Sequence, residues 1–516
     1  MKHLRLKRII SAVMACFLLS GCTITERLDA GNTSESEESV ENTHLANYFG
    51  LTYYSGEKIN PISVKTDMNR VLVDALYEGM IYLDDNFKPQ PMLCEKWEGD
   101  GTTFRFYIKE GVTFWSGQTL TADDIVYTLK YAKKTEDSLY NTRMTDVSNI
   151  YAENANTVVV ILKSPNVDFP SLMDIPIFRQ GTEDLTFSDG TGSYQPVQEN
   201  GQWNLKPYAN WHGGKVSEFD KISLVVTTRS DAAQYSFETG DISLMRTERI
   251  GTDSITVSGS VDIYKLPTTD MHFLGFNCNK EPYNIPQVRQ AISLAIDRQG
   301  ISTTQLQSFA TPAVLPVNPQ PSYEQVNLKA DRASALEMLK SAGIADNNND
   351  GILEYESTSG RRITLTASIL VNSENPFKVA TANQIAASLT AIGIKTSVKE
   401  ASFEDYQSRL SSGDFDIYYG EVRMTPDFDL RSLIMTGGGL NYGGYSNIQT
   451  DQLVVQARET AGDDIKSQLY QHFMNETPIA PIVFAKDQVI IRSNLIKGFS
   501  PSPNWIFHGS GGWRKN

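Results

Sequence analysis

Residues 363–420 alternate two periodicities in a fixed order. ITLTASILV has a strand pattern, FKVATANQIAASLTAIG helical spacing, IKTSV a strand, SFEDYQSRLSSG a helix and FDIYYG a strand. Strand, helix, strand, helix, strand with short links demands neighbouring parallel strands, because each helix carries the chain back to run in the same direction. Open sheets of this kind bind ligands outside the carboxyl ends of their strands. Two segments are therefore ligand-site candidates: GEVRMTPDFDL, which leaves the third strand, and the Gly-rich GGLNYGGYSN beyond it.

The rest of the chain is less regular. Tyr48 to Tyr54 reads as a strand. Thr66 to Tyr82 reads as a helix, with Leu72, Ala75, Leu76 and Met80 at helical spacing. TTFRFYI, the turn KEG and VTFW follow as short strands. Thr121 and Asp124 form a capping box opening ADDIVYTLKYAKK. TVVVIL, KISLVVTT, DISLM and MHFLGFNC are further strands. Pro286 suits the first turn of a helix running through QVRQAISLAIDRQ, and Gly343 caps the end of DRASALEMLKSAG. No internal repeat appears.

The first 22 residues read MKHLRLKRIISAVMACFLLSGC. A basic front precedes an apolar run, Ile9 to Leu19, of a length that suits an export signal rather than a bilayer span. Leu19-Ser20-Gly21-Cys22 resembles the bacterial lipobox, in which the cysteine is lipidated. The tract 23–44 is rich in Ser, Glu, Asn and Thr, which predicts a flexible tether. The formal charge is −15; removing residues 1–21, with four Lys/Arg and no acid, leaves −19. That balance repels nucleic acid and anionic head groups. The mature length of about 495 residues exceeds one core and predicts two or three domains.

Chemistry-bearing patterns are sparse. Cys94 and Cys278 are the cysteines that outlast the signal and anchor; they are either free thiols or one disulfide, and no CxxC pair exists. The six histidines form no HExxH, and GxSxG and GxxxxGK[ST] are absent. Ser55-x-x-Lys58 is closely followed by Pro61, which opposes the helix such a serine nucleophile needs. Asp346-x-Asn348-x-Asp350-Gly351 resembles the start of a calcium loop, but Ser357 stands where the twelfth-position acid belongs, which favours a capped turn without metal.

Five blocks in order resemble the extracellular solute-binding proteins of oligopeptide, dipeptide and nickel ABC importers. They are VLVDALYEGM…TADDIVYTL, GTGSYQP, FDKISLVVTTRSDAAQYSFETGDISL, LGFNCNKEPYNIPQVRQAISLAIDRQGI and the late GIKTSV, GDFDIYYG and GYSN phrases. The resemblance implies an α/β, two-lobed clamshell like that of periplasmic binding proteins, with an extra α/β subdomain in the first lobe. Its expected parts are a lipoprotein signal peptide 1–21, the tether 22–44, lobe I from 45–62, 186–272 and 485–516, the subdomain 63–185 and lobe II 273–484. Crossing segments near 270–278 and 480–490 would be the hinge. The implied function is ligand capture for an ABC permease, without cofactor or enzymatic activity, by a monomer lipid-anchored through Cys22 on the outer face of a Gram-positive cell. The expected cargo is an oligopeptide or dipeptide. A nickel chelate or a peptide signal is the alternative, and a secreted hydrolase or surface scaffold a further one.

Peptide-binding members hold a ligand amine with an Asp in the segment that here reads GEVRMTPDFDL. On that motif Val422 replaces a Trp and Thr425 replaces the Asp. Asp427 or Asp429 can supply the charge from a shifted position. Arg423 either reads a ligand carboxylate or bridges to Asp427 or Glu421. Asn441, Tyr442 and Tyr445 either contact ligand or decorate a solvated loop. Tyr53 and Tyr54 end a strand from which the family contacts ligand, or they pack in the core. Asn277 either meets ligand or satisfies hinge backbone.

Overall fold

The computed structural model describes residues 48–251, 257–317 and 328–516. The lipobox with Cys22 and the tether lie outside the described residues. No described helix is long and apolar enough to cross a membrane. The described residues belong to one compact unit.

The β-α-β-α-β run is present as Thr366–Asn372, Pro376–Thr390, Lys395–Ala401, Phe403–Ser412 and Ile417–Arg423. Thr366–Asn372 lies in the middle, parallel to both other strands. Asn375 and Ser402 cap the two helices by accepting from backbone N–H groups two and three residues on. The sheet continues antiparallel through Val261–Phe276, Ile479–Arg492 and the edge strand Leu244–Glu248.

Two long strands carry the chain between cores. Val261–Phe276 has 16 residues and Ile479–Arg492 has 14, and they pair antiparallel. Leu266, Val489 and Ile491 join one core, which gathers residues from Phe49 to Leu244 and from Leu495 to Trp513. Met271, Leu274, Phe276, Ala480, Ile482 and Phe484 join two others, built from residues 250–485 and 271–484. Between the halves the register breaks. Pro267 opposes Lys486 and Met271 opposes Phe484, so residues 268–270 face a single residue of the partner strand. Such an excess bends a strand and re-aims its side chains. Thr268 donates to the Ala485 carbonyl and Thr269 to the Met424 carbonyl, which holds the bulge closed.

A four-stranded sheet, Gly50–Tyr53, Ile222–Val226, Gln202–Pro207 and Tyr194–Glu199, backs the first core. A separate antiparallel sheet, Cys94–Gly99, Thr103–Ile108, Thr157–Leu162 and Val147–Asn154, packs on the helix Ala122–Lys134. The Thr121–Asp124 capping box opens that helix as the sequence predicts.

Two helices differ from expectation. The one expected over Thr66 to Tyr82 spans Asp67–Leu76. Tyr77 turns extended because its hydroxyl donates to the Ile59 and Ser188 carbonyls, and Gly79 passes so close to Asp174 that a Cβ would stand 2.9 Å from its carbonyl carbon. The one expected through QVRQAISLAIDRQ stops at Leu294. Asp297 then accepts from Gly300 N and starts a second helix, Arg298–Thr304.

Cys94 and Cys278 are free thiols. In the loop that resembles a calcium site, Asp346 accepts from the backbone of Asn349, Asp350 and Gly351, and Glu354 accepts from Asn347 and Asn348. The loop closes on itself as a capped turn.

Candidate ligand-binding site

Where the crossing strands break register, a cavity of about 270 Å3 opens. Its walls come from distant parts of the chain. The helix Asp67–Leu76 contributes Asp67, Arg70 and Asp74, whose spacings of three and four place them on one face. The edge strand brings Arg246 and Glu248, the bulge Thr268 to Asp270, and the end of the parallel run Arg423 and Pro426. Asp487 and Trp505 complete it from the C-terminal return.

The wall is charged and almost fully paired. Arg423 forks onto Asp270, Nε to Oδ1 at 2.7 Å and Nη2 to Oδ2 at 2.8 Å, and stands 3.4 Å from Glu248. Those hydrogen bonds and charges hold its guanidinium far above the usual range. Arg246 bonds Asp487 at 2.7 Å, Arg143 bonds Asp174, and the Nε of Arg70 stands 3.0 Å from Asp67. Glu78 accepts from Trp211 and lies 2.9 Å from His212 Nε2. Among the described residues Asp74 has no Lys, Arg or His nitrogen within 4 Å; its carboxylate accepts from Ile506 N at 3.1 Å. Burial pushes it up to about 6 against the opposing pull of Arg246. Apolar and aromatic groups, among them Leu83, Phe87, Met92, Tyr82, Tyr140 and Trp505, form the remaining wall.

A second cavity of about 260 Å3 shares Asp67, Arg246, Thr247 and Glu248 with the first. It is flanked by Thr52, Met68, Val71, Ala233 and Met245. The edge strand Leu244–Glu248 thus runs along both.

Of the residues singled out from the sequence, Arg423 lines the cavity, and its partners are Asp270 and Glu248 rather than Asp427 or Glu421. Thr425 donates to Asp427 at 2.5 Å, and Asp427 accepts from Asn166 across the molecule. Burial, with Asp429 nearby, raises the Asp427 carboxyl. Tyr53 is 3% exposed and stacks on Phe187. The Tyr54 backbone is bracketed by the Asn69 amide. Asn277 donates to the Gly413 and Phe415 carbonyls and accepts from Asn279 N, so its amide satisfies backbone. Asn441 bonds the Met435 and Tyr445 backbone, Tyr445 is buried against Thr450 and Glu476, and Tyr442 meets the edge of Tyr418. Tyr418 lies five residues before Arg423, about 16 Å along the strand at the usual rise. The Gly-rich loop therefore sits at the other end of that strand. Gly443 lets it tuck in, since a Cβ there would stand 1.9 Å from the Phe276 carbonyl oxygen.

Asp67, Arg70, Asp74, Arg246 and Asp270 escaped the sequence reading. The signal was faint: three charged residues on one face of a helix whose other face is apolar, which also describes an ordinary solvated surface.

A second feature joins the two sides. Asp146 takes Arg431 and Arg458 together, Asp429 takes Arg431, Lys466 bonds Asp168 at 2.8 Å, and Arg458 also donates to Ser164 and the Pro165 carbonyl. Between this seam and the cavity, Phe428, at a positive φ, packs against Phe87 on one side and Phe484 on the other.

Comparison with known proteins gives a consistent picture. The family model for bacterial extracellular solute-binding proteins, family 5, matches residues 88–442. The glutathione-binding protein GsiB of Salmonella typhi is 23% identical over 88% of this chain and 90% of its own. The dipeptide-binding protein DppE of Bacillus subtilis is 22% identical over 94% and 95%. The crystal structure of a nickel ABC transporter protein from Bacillus halodurans superimposes with a TM-score of 0.72 at 19% identity, covering 89% of this chain and 97% of that one.

Proposed function

This chain belongs to the bacterial extracellular solute-binding proteins of family 5, and on that premise we propose that its cavity captures a short peptide for an ABC importer. The two-lobed α/β fold is the one that family uses to close over a solute. The observation that carries the reading is the cavity at the register break, walled on one side by the helix Asp67–Leu76 and on the other by Arg423 and Pro426. Its volume of about 270 Å3 suits a dipeptide-sized solute, and its paired charges and aromatic wall suit a zwitterion with an apolar side chain. Relatives named for dipeptides and glutathione support that class.

A nickel chelate is the second reading, favoured by the nickel-transporter relative. Among the described residues no group of three His, Cys, Asp or Glu is placed to hold a bare metal ion, so the metal would arrive inside a small chelator. In either case the protein acts as a monomer without chemistry of its own, with lobe boundaries as read from the sequence. It is tethered by a lipid on Cys22 to the outer face of a Gram-positive membrane, next to its permease.

Thermal melting against dipeptides, tripeptides and nickel chelates tests the cargo. A solute that binds only the native state at about a hundred times its dissociation constant stabilises by about 2.7 kcal/mol, which is read as a raised melting temperature. A melting temperature that none of them moves would count against both readings. Cys22→Ala tests the anchor: the protein is expected to leave the membrane fraction, and retention there would contradict it.

A further inference from the structure

The cavity holds seven carboxylates and four guanidiniums. Each of the four arginines already has its own acid: Asp67 for Arg70, Asp174 for Arg143, Asp487 for Arg246 and Asp270 for Arg423. Glu78 is taken by Trp211 and His212, and Glu248 shares Arg423. Asp74 is left over. It projects from the same helix face as Asp67 and Arg70, yet among the described residues no cationic side chain lies within 4 Å of it.

Arg246, engaged with Asp487, offsets only part of the penalty of burying this carboxylate, and a ligand cation relieves the remainder on binding. The surroundings suit a cation. Trp505 donates its indole N–H to the main-chain carbonyl of Asp74 at 2.8 Å, and the next residue, Ile506, donates its N–H to the carboxylate at 3.1 Å, so the Trp505 segment lies against Asp74. Tyr82 lies 5.9 Å from that ring. Aromatic faces next to a carboxylate favour an ammonium over any neutral donor.

We infer that Asp74 is the ammonium-binding residue of this protein, set beside the Trp505 ring, and that its cargo carries a primary amine. The inference deepens the short-peptide reading and rests on it for the peptide alone; the amine requirement stands on Asp74 itself. The arginines, all paired, orient and enclose the solute. Leu83, Phe87 and Met92, which line the same cavity, offer apolar surface to a side chain of the cargo.

Calorimetry on the intact protein decides it, with Ala-Phe, N-acetyl-Ala-Phe and phenethylamine as probes. Ala-Phe is expected to bind. N-acetylation and Asp74→Asn are each expected to weaken it about tenfold or more, and to weaken it no further when combined. Equal loss of both dipeptides on Asp74→Asn, or no loss, overturns the assignment. If no dipeptide binds but phenethylamine does, and loses affinity in Asp74→Asn, the peptide reading fails and the ammonium assignment stands. If neither amine binds, the assignment fails. Should Asp74→Asn not fold, Asp74→Glu, which keeps the charge and moves it by one methylene, is expected to weaken Ala-Phe more than its N-acetyl form, and equal change in both overturns the assignment.

Discussion

Arg423 illustrates how a residue type and its role separate. A lone arginine in a loop after a parallel strand reads as a carboxylate fork. Here the fork is filled by Asp270, 8% exposed at its side chain, which arrives from a bulge 153 residues earlier. The two positions are distant in sequence and meet only through the register of two strands, so the pairing was not legible beforehand. Removing one partner strands the other, whereas removing both does not. Arg423→Ala is thus expected to lower stability by about 1–3 kcal/mol, and Arg423→Ala with Asp270→Ala by less. Denaturant unfolding of the two variants checks this; additive losses would deny the coupling. Asn277→Ala is expected to cost about 1–3 kcal/mol through the unsatisfied Gly413 and Phe415 carbonyls, with cargo affinity unchanged in calorimetry.

Asp74 gives a pH signature at the same scale. Its carboxyl is raised by burial from 3.8 to about 6. The folded state therefore holds this proton more tightly than the unfolded state. Ionised Asp74 destabilises the unliganded protein above about pH 6, and the penalty fades as pH falls toward 4. Arg70, Tyr140, Arg143, Asp174, Arg246 and Asp487 face it around the cavity and set how large it is. Asp74→Asn is expected to stabilise the unliganded protein at neutral pH, by at most about 3 kcal/mol, and hardly at all near pH 4. Denaturant titrations at both pH values measure this, and an equal effect at each would contradict it.

Among the elements, those with a strong local period were legible. The run from Thr366–Asn372 to Ile417–Arg423 appears as its alternating pattern requires, and the Thr121 capping box marks its helix start. Thr121→Ala is expected to cost about 1 kcal/mol, read from the denaturation midpoint. Helix ends set by tertiary contacts were not legible. Leu76 ends its helix because Tyr77 is claimed by two carbonyls 18 and 111 residues away. Asp297 restarts one because the buried Arg298 guanidinium donates to the Ala313 and Pro481 carbonyls. Of the crossing strands, the apolar MHFLGFNC stretch was visible in the first and the 480–490 segment followed only from the family resemblance; the register break at residues 268–270, beside which the cavity opens, leaves no mark in hydrophobic periodicity.

Across the whole molecule, cavity and seam are linked by a short segment. Arg423 and Pro426 line the cavity, Phe428 wedges between Phe87 and Phe484, and Asp429 and Arg431 enter the seam with Asp146 and Arg458. The seam residues Asp146, Asp429, Arg431 and Arg458 lie outside the cavity lining; on the capture mechanism proposed above they favour closure, and their strength sets how much of the binding energy goes into it. Asp146→Asn is expected to weaken cargo binding several-fold while leaving the preference among cargoes intact; a changed preference would place Asp146 in recognition instead.

On the proposed function, cargo is enclosed between two bodies that must part to admit it. Asn166 and Asp427 meet across the seam at 2.9 Å, and replacing both with cysteine provides a reversible lock. Loaded with radiolabelled cargo and then oxidised, the double variant is expected to retain the label through dialysis until a reductant is added, and when oxidised first it is expected to take up none. Free exchange of label in the oxidised form would contradict enclosure of the cargo between the two bodies.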